Sequence, residues 1–380
     1  MFVAQSDVIG NIIWVIMFMI FMFFYPRLVL SQMIWKLEQS AEMLEAMTLS
    51  SRKLIIKATK RKVNKKLKES IKRFFEFFVI GPVNLDPYGI IKKFDVLIQQ
   101  EKARFRYFVN QIAPNLDSEQ KANLMMGLSA AISLNSLAKL IRHYVELIRK
   151  TKNIQLAMVL QMNVPLIERI AKALYKGTVA LTNGWPIGDG IGAYVAAKLI
   201  GNKKVKEIEE DTIFAKRKIK GVDCIIIKAK GPGGRTGRPG KAVEKILKRE
   251  RVKKIITIDA ATKLEGEKTG VVAEGVGVAI GGIGVEKNYI EEVAIKKNIP
   301  MDSIIIKMSQ EEAVTPMKKS ILNAADEAIK AVERSLEGVG KRGKVIIVGV
   351  GNTCGIGNNA KELEKTDRII RKVLRKLKRR

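Results

Sequence analysis

The chain has 380 residues, of which 47% are hydrophobic, and its 69 Lys and Arg against 38 Asp and Glu give a net charge of +31. This composition excludes a disordered chain, and the length leaves room for more than one domain with its own core. The positive excess favours anionic partners, either lipid headgroups or nucleic acid. Cys224 and Cys354 stand far apart without a CxxC motif, so no disulfide framework, metal site or cofactor is predicted.

The N-terminal segment is strongly apolar. No charged residue occurs between Asp7 and Arg27, and a helix over residues 8–26, rising about 1.5 Å per residue, would span a hydrocarbon core of about 30 Å. A signal peptide would need positive charge before this run and a small-residue cleavage site after it, and the sequence has neither. Because Lys and Arg become dense only after Lys36, residues 1–35 are predicted to anchor the chain in the cell membrane as a single pass, with the N-terminus outside and the bulk cytoplasmic.

Residues 36–173 show helical periodicity with few glycines and prolines, which predicts a helical middle domain. Within it, residues 52–73 are rich in Lys and Arg and contain a single acidic residue, Glu69. We expect this basic amphipathic helix to lie on anionic lipid headgroups. Contact with RNA or a ribosome is a weaker alternative, and a solvated helix face is another. The basic tail, residues 368–380, would extend the same charge.

From residue 174 to residue 380, short β-branched runs alternate with helical segments and glycine-rich connections, which predicts an α/β domain. The predicted strands are 178–182, 213–219, 223–228, 254–258, 276–280, 303–307 and 344–350. The predicted helices are 193–199, 241–249, 289–297, 311–336 and 360–377.

The first glycine-rich loop, residues 183–192, is predicted to join a strand to a helix. Its alternate glycines suggest a nucleotide loop, but Asp189 lies among them and would repel a phosphate, so acid/base chemistry or a cation fits this loop better. The candidate substrate-binding residues of this loop are Asn183, Gly184, Gly188 and Gly190.

The second glycine-rich loop, residues 231–240, leads into a predicted helix. Its five glycines would let backbone amides approach a bound group closely, and its two arginines favour an anion such as a carboxylate. A mobile surface loop is the alternative. The candidate binding residues here are Gly233, Gly234, Arg235, Thr236 and Gly237. A third loop, residues 349–358, also joins a strand to a helix, which is an anion-binding geometry.

Asp259 ends the strand predicted at 254–258. In open α/β sheets the carboxyl ends of strands line the ligand crevice, so Asp189 and Asp259 are expected to face one site. Two carboxylates in one cleft push their pKa values apart, which allows one to act as a base while the other donates a proton. A helix cap or a turn is the alternative role for either residue.

The order of these motifs resembles that of the germination protease of spore-forming bacteria and, more distantly, of the hydrogenase maturation endopeptidases. Both families have a first strand, a glycine-asparagine turn, a carboxylate before a helix, and then a strand ending in Ile-Asp-Ala. Residues 179–192 with Asp189, and residues 255–260 with Asp259, correspond to these elements, although Asn183 and Gly184 stand in reversed order. The germination protease also has a glycine loop and a later glycine cluster. The matching residues are Pro232, Gly233, Gly234, Thr236 and Gly237, then Gly275, Gly277, Gly281, Gly282 and Gly284.

This resemblance covers residues 178–307. It implies a phosphorylase/hydrolase-like, three-layer α/β domain with a mixed sheet, and peptide-bond hydrolysis by an Asp pair acting on water. The hydrogenase endopeptidases also use a histidine, and none occurs in this domain, so nickel recognition is not expected. The whole chain also resembles an archaeal membrane-anchored family of unknown function, which implies no activity.

The leading hypothesis is therefore a membrane-tethered cytoplasmic hydrolase, with Asp189 and Asp259 as the catalytic pair and a peptide or protein as substrate. The alternative is a non-catalytic membrane protein that binds an anion or nucleotide, or that acts as a scaffold in contact with anionic lipid or ribosomes. A fold by itself does not decide between these hypotheses.

Overall fold

A computed structural model describes residues 2–83, 89–340 and 343–378 of the chain. Arg379 and Arg380 of the predicted basic tail lie outside the described residues. The chain divides into two compact units, which we call unit 1 and unit 2. Unit 1 comprises Met1–Ser50 and Ser133–Lys172, and unit 2 comprises Ser51–Ile132 and Ala173–Arg380.

The described part of residues 2–182 forms five helices, so the helical character predicted for the middle of the chain is confirmed. They are α1 (Phe2–Ala58), α2 (Lys65–Phe74), α3 (Ile90–Ile112), α4 (Ser118–Thr151) and α5 (Ile154–Thr182).

Helix α1 changes character along its length. Every residue from 10 to 28 is exposed, although most of them are apolar. Buried positions begin at Leu30 and recur at Leu37, Ala41 and Leu44, a spacing that turns one stripe of the helix towards a core. Among the described residues, two helices are long and apolar enough to cross a membrane, namely α1 and α4. The most apolar window of α4 is 44% buried, whereas that of α1 is 0% buried.

Polar contacts fix the arrangement of helices within unit 1. Arg142 Nε of α4 lies 2.7 Å from Glu45 Oε1 of α1, and Arg149, farther along α4, contacts Glu38. Because residue numbers rise along α4 as they fall along α1, these two helices are antiparallel. Helix α5 follows after only two residues and therefore turns back to run parallel to α1. Ser40 Oγ donates to Glu168 Oε1 of α5 at 2.9 Å.

The basic segment 52–73 is two helices rather than the single helix predicted. Helix α1 ends at Ala58, and Lys60 adopts a positive φ of 53° that breaks the helical path. Asn64 then caps α2 by accepting a hydrogen bond from the Leu67 amide at 2.8 Å. Buried Leu67 and Ile71 hold α2 in an apolar core of unit 2 while its Lys and Arg face solvent.

The C-terminal half of the chain contains a mixed sheet, as predicted. In the part of the chain that the structure describes, the sheet has seven strands in the order β1-β2-β3-β7-β4-β6-β5. The strands are β1 (Lys206–Glu209), β2 (Thr212–Ile219), β3 (Val222–Ala229), β4 (Lys254–Thr262), β5 (Val272–Val276), β6 (Met301–Met308) and β7 (Lys344–Gly349). Strands β3, β7, β4 and β6 are mutually parallel, whereas β1, β2 and β5 pair antiparallel with their neighbours.

Helices cover both faces of this sheet. They are α6 (Ile191–Ile200), α7 (Pro239–Leu247), α8 (Val285–Lys296), α9 (Gln310–Val314), α10 (Lys319–Leu336) and α11 (Ala360–Lys378). Helices α6, α10 and α11 pack against one face, on the even-numbered side chains of β3 and β4 such as Ile226 and Ile258. Helices α7 and α8 pack against the other face, on odd-numbered side chains such as Ile225 and Ile255. The period of two along each buried strand builds both cores.

The strand predicted at 178–182 is wrong, because these residues form the last turn of α5. Their β-branched composition favours a strand, but each threonine hydroxyl bonds back to a helix carbonyl. Thr178 Oγ1 donates to Leu174 O at 2.9 Å, and Thr182 Oγ1 donates to Thr178 O at 2.6 Å. Tertiary packing therefore overrides local propensity here. The loop at 183–192 consequently follows a helix rather than a strand.

Two other predicted elements need correction, and one strand was missed. The strand placed at 276–280 lies earlier, as β5, and β1 at the edge of the sheet was not predicted. The single helix predicted over 311–336 is two helices, α9 and α10, because Pro316 interrupts it. Proline lacks an amide donor and disfavours the helical conformation of the preceding residue.

Candidate active site

The carboxyl ends of β4 and β7 lie where the topology of the sheet favours a ligand crevice, and we call this position the crevice. The connection from β4 to β6 returns through α8 on one face, whereas α11, which follows β7, packs on the opposite face. Where connections from adjacent parallel strands leave towards opposite faces, the strand ends separate and a ligand crevice opens. Asp189 and Asp259 both lie at this position.

Glycines bring Asp189 to the crevice. A short 3-10 turn (Gly188–Gly190) carries Asp189 immediately before α6. A Cβ at Gly192 would lie 2.3 Å from Ile258 O and 2.4 Å from Val350 O, so only glycine allows the start of α6 to rest on the ends of β4 and β7. Gly188 and Gly190 are buried for the same reason, with backbone or side-chain atoms where a Cβ would be. The alternate glycines of this loop thus serve close packing.

Asp259 lies within β4 and its residue is 4% exposed. Its Oδ1 accepts a hydrogen bond from the Ala260 amide at 2.7 Å, and its Oδ2 accepts one from the Gly281 amide at 2.9 Å. The segment 277–284, which contains all of the later glycine cluster except Gly275, is therefore joined to this carboxyl group through Gly281. Gly281 and Gly282 on this segment are exposed.

The two carboxyl groups interact, although 70 residues separate them in the chain. Burial, and then the charge of Asp189, raise the pKa of Asp259 to about 8. Burial also raises the pKa of Asp189, opposed by the hydrogen bond that its Oδ2 accepts from the Asn352 amide at 2.8 Å. Asp189 is half-buried as a residue, but its carboxyl is surrounded by protein atoms, and this desolvation is the larger influence. At neutral pH the pair is therefore expected to hold at least one proton.

The loop at 231–240 uses its donors internally. The Gly233 amide donates to Glu119 of α4, and the Gly234 amide donates to Asn123 Oδ1 at 2.7 Å. Arg235 pairs with the same Glu119 at 2.6 Å and with Asp211 at 3.0 Å. Although burial opposes it, Arg235 holds the pKa of Glu119 below its ordinary value. The carboxylate that the sequence pattern predicts at this loop is thus present, but it belongs to the chain itself.

The remaining candidate residues of this loop are divided between packing and solvent. Gly237 has a φ of 64°, and a Cβ there would lie 2.6 Å from Thr212 Oγ1, so this glycine is required by conformation and space. Thr236 is exposed. Arg238, the second arginine of the loop, pairs with Asp95 at 2.6 Å.

A cleft of about 530 Å³ lies beside the same loop. Its walls include Glu119, Asn123 and Gly184, together with Asn358 and Glu362 from the loop and helix after β7. Asn183, next to Gly184, is exposed and donates to Val179 O at 2.7 Å. The structure therefore places Gly184 and the partners of Gly233 and Gly234 at this cleft, and Asp189, Asp259, Gly188 and Gly190 at the crevice.

Sequence reasoning missed Lys228, which is fully buried at the end of β3. Its Nζ donates to Ala229 O at 2.8 Å and lies 3.5 Å from Asn358 Oδ1. Burial lowers the pKa of Lys228 to about 7, with a small opposing effect of Glu362. The available signal was a single lysine at the end of an apolar run, residues 224–227, in a strand that is buried on both faces.

Cys354 is fully buried, and burial raises the pKa of its thiol, which disfavours the nucleophilic thiolate. Within residues 2–83, 89–340 and 343–378, no group of three or more His, Cys, Asp or Glu residues is arranged to hold a metal ion.

Fold and site together define a protein with an apolar N-terminal helix, a helical region and a mixed α/β domain that carries an aspartate pair at the carboxyl edge of its sheet. Residues 11–184 match the family model described as protein of unknown function (DUF1512) N-terminal domain, and residues 187–357 match the model described as domain of unknown function (DUF1512) C-terminal. The chain therefore belongs to the DUF1512 family and has both of its domains. No curated protein and no solved structure matches the chain.

Proposed function

We propose that this protein is a membrane-anchored hydrolase in which Asp189 and Asp259 activate water. The observation that supports this most directly is the convergence of the two carboxyl groups at one crevice, with the pKa of Asp259 raised to about 8. A carboxyl whose pKa lies near the working pH is suited to general acid/base catalysis. Buried pairs of this kind divide the two roles between them.

In the proposed reaction the ionised member of the pair accepts a proton from water as the water oxygen bonds to the substrate carbonyl carbon. The protonated member then donates its proton to the leaving amine as the C–N bond breaks. Asp189 is the proposed base, because its Oδ2 accepts a hydrogen bond from the Asn352 amide, which favours the ionised form. Asp259 is the proposed acid, because burial and the neighbouring charge favour its neutral form.

Substrate would reach the pair past the glycine-rich segment 277–284. Gly282 and Gly284 have φ values of 88°, and a Cβ at either would meet no atom within 4 Å. Gly281 contributes the hydrogen bond to Asp259. Val278 is 5% exposed and fixes the start of this segment in the core, whereas residues 281–284 have few packing contacts. Because this later part is joined to a catalytic carboxyl, it is suited to move aside and return.

A peptide bond is the proposed substrate because of the resemblance to the germination protease, carried by Asp189, by Asp259 and by the glycine clusters. The structure departs from that pattern in one respect, since a helix rather than a strand precedes Asn183. The same resemblance is the support for a phosphorylase/hydrolase-like fold family.

The anchor is the second part of the proposal. An exposed apolar segment from residue 10 to residue 26 would be unstable in water and stable in a bilayer. The absence of Lys and Arg before Arg27, followed by the dense basic segment 52–73, favours a cytoplasmic location for the residues after the anchor.

The full chain in detergent should release fluorescent peptides from dye-labelled casein, and Asp189→Asn or Asp259→Asn should abolish release without unfolding the protein. Asp326→Asn is the matched control, because Asp326 lies on α10 with its side chain 75% exposed. Undiminished peptidase activity in both active-site variants would refute the catalytic role of the pair.

A second candidate function is ligand binding without catalysis, and the cleft of about 530 Å³ supports it. An anion there would have to compete with Glu119 for the Gly233 amide and Arg235. Binding of ATP or inorganic phosphate should therefore strengthen in Glu119→Gln and should be unaffected by Asp189→Asn. Thermal shift with these two ligands separates the candidates, because a catalytic pair alone predicts no stabilisation by either.

A further inference from the structure

The N-terminal half of α5 has an exposed apolar face in unit 1. Residues 154–167 contain no charged residue, whereas 28% of the chain's residues are charged. Met158, Val159, Met162 and Leu166 are 50%, 58%, 80% and 45% exposed. At 3.6 residues per turn these four positions fall within an arc of about 100°, so they form one continuous face. We call these four residues the α5 apolar face.

Contacts within unit 1 fix the height of this face along α1. Helix α5 runs parallel to α1, and Glu168 is hydrogen-bonded to Ser40. Counting back from this contact at ~1.5 Å per residue in both helices places the start of α5 near the level of Pro26. Val159 then lies near the level of residue 31, about 7 Å beyond Pro26, where the charge-free segment ends.

We propose that the N-terminal end of the α5 apolar face, Met158 and Val159, lies in the interfacial layer of the same bilayer that α1 crosses, so that the start of α5 forms a membrane-embedded collar beside the anchor. This inference rests on the proposed anchoring and not on the proposed catalysis. The headgroup layer extends about 5–7 Å beyond each side of the hydrocarbon core, which is the height reached by Met158 and Val159.

Two neighbouring features fit lipid as the occupant. Trp35 of α1 is 60% exposed at the level of this face, and tryptophan favours the membrane–water interface. Lys150 and Lys152, at the connection between α4 and α5, are exposed, so their ammonium groups can reach lipid phosphates. Charged residues resume at Glu168 and Arg169, about 21 Å beyond the level of Pro26 and so outside the interfacial layer. A second copy of the chain is a less favoured occupant, because Pro165 interrupts the regular helix that a coiled-coil seam requires.

Fluorescent labels at single introduced cysteines measure the depth of each position. Val159→Cys, Leu166→Cys and Leu49→Cys would be labelled with a polarity-sensitive dye in the full chain, reconstituted in nanodiscs that contain anionic lipid and a shallow nitroxide-labelled lipid. Native Cys224 and Cys354 are 1% and 0% exposed, so background labelling should be low. Leu49 is the matched control, because it is 54% exposed on α1 of the same unit but farther from the anchor.

Nitroxide quenching should decrease in the order 159, 166, 49. We expect about threefold stronger quenching at Val159→Cys than at Leu49→Cys, since the two positions differ by roughly 27 Å in height at ~1.5 Å per residue. Equal, weak quenching at both positions would overturn the inference. A dye at Val159→Cys that is shielded from water but not quenched by nitroxide lipid would also overturn it, in favour of a second copy.

A label at Phe18→Cys separates this inference from the anchoring on which it rests. Strong quenching of this label by a nitroxide placed deep in the acyl chains is expected for the anchor. If Phe18→Cys is quenched and Val159→Cys is not, the collar alone is refuted. If neither is quenched, the anchor is refuted as well.

Discussion

Two glycine-rich regions of unit 2 place carboxylates in opposite electrostatic surroundings. At residues 231–240 the amides of Gly233 and Gly234 and the guanidinium of Arg235 are satisfied by Glu119 and Asn123, and the pKa of Glu119 is lowered. At the crevice, Asp189 and Asp259 lie close enough for the charge of Asp189 to raise the pKa of Asp259, and no cation is among the groups that shift either pKa. A carboxylate that donors surround is structural, whereas a pair held in unfavourable surroundings is more often functional.

Removing the carboxylate of the first region should have the largest effect on stability. Glu119→Ala leaves Arg235, whose side chain is 9% exposed, paired with Asp211, and leaves the Gly233 amide without its acceptor. We expect a loss of about 2 kcal/mol in the free energy of unfolding, measured by chemical denaturation. Glu364→Ala is the control, since the side chains of Glu364 and its partner Arg368 are 72% and 76% exposed. Equal losses in the two variants would contradict a structural role for Glu119.

Lys228 offers a third case at the same edge of the sheet, a buried cation in place of a buried carboxyl. Its folded pKa of about 7 lies below its ordinary value of 10.5, so the unfolded state binds more protons between these two values. The cost of burying Lys228 is therefore fully present below pH 7 and declines as the pH rises towards 10.5. Lys228→Met should raise the free energy of unfolding by roughly 1–2 kcal/mol at pH 6 and by less at pH 9. An equal gain at both pH values would argue against a titrating lysine.

The coupling within the second region can be measured directly. The folded pKa of Asp259, about 8, lies above its ordinary 3.8, so the folded state binds more protons in this range and the protein should lose stability as the pH rises through it. Asp189→Asn keeps an oxygen for the Asn352 amide but removes the neighbouring charge, which should lower the pKa of Asp259.

The loss of stability should still begin near pH 3.8 but should end at lower pH in Asp189→Asn than in the unmodified chain. The loss accumulated by pH 8 should therefore be smaller in the variant, by an amount on the order of 1 kcal/mol. The unfolding midpoint in urea between pH 4 and pH 9 measures this. Glu267→Gln is a useful control because Glu267 lies outside the crevice and pairs with Lys307. An unchanged profile in Asp189→Asn would mean that the two aspartates are not coupled.

The smallest effect is expected from deletion of the first 35 residues. Residues 10–28 are exposed throughout, and among the described positions before Trp35 only Leu30 is buried. The shortened chain should remain soluble and folded, with a change in unfolding free energy of about 1 kcal/mol or less. Circular dichroism and a thermal scan check this, and aggregation of the shortened chain would contradict it.

Strong local patterns made much of the α/β region predictable. Buried strands such as β3 and β7 are continuous β-branched runs, and their bounds agree with the prediction to within one residue at each end. The failures came where local propensity and packing disagree. The threonines at 178–182 favour a strand by composition. They nevertheless belong to the helix that begins at residue 154, and their hydroxyls donate hydrogen bonds to carbonyl groups of that helix.

The candidate site was predictable in position and less so in chemistry. Asp259 stands at the end of an apolar run, and Asp189 lies among glycines before a helix, so strand-end geometry was enough to expect both at one edge. The internal role of Arg235 was not predictable, because its partners Glu119 and Asp211 lie 116 and 24 positions away in the chain. Pairing over such separations has no local pattern.

By itself the sequence determined the apolar N-terminal helix, the helical middle, the mixed sheet and the two glycine-flanked aspartates, since each depends on residue order within one segment. Only the tertiary structure decided which carboxylates are neutralised. Burial and charge depend on neighbours that folding brings from distant segments. Glu119 therefore pairs with an arginine, whereas Asp259 lies near a second carboxyl group.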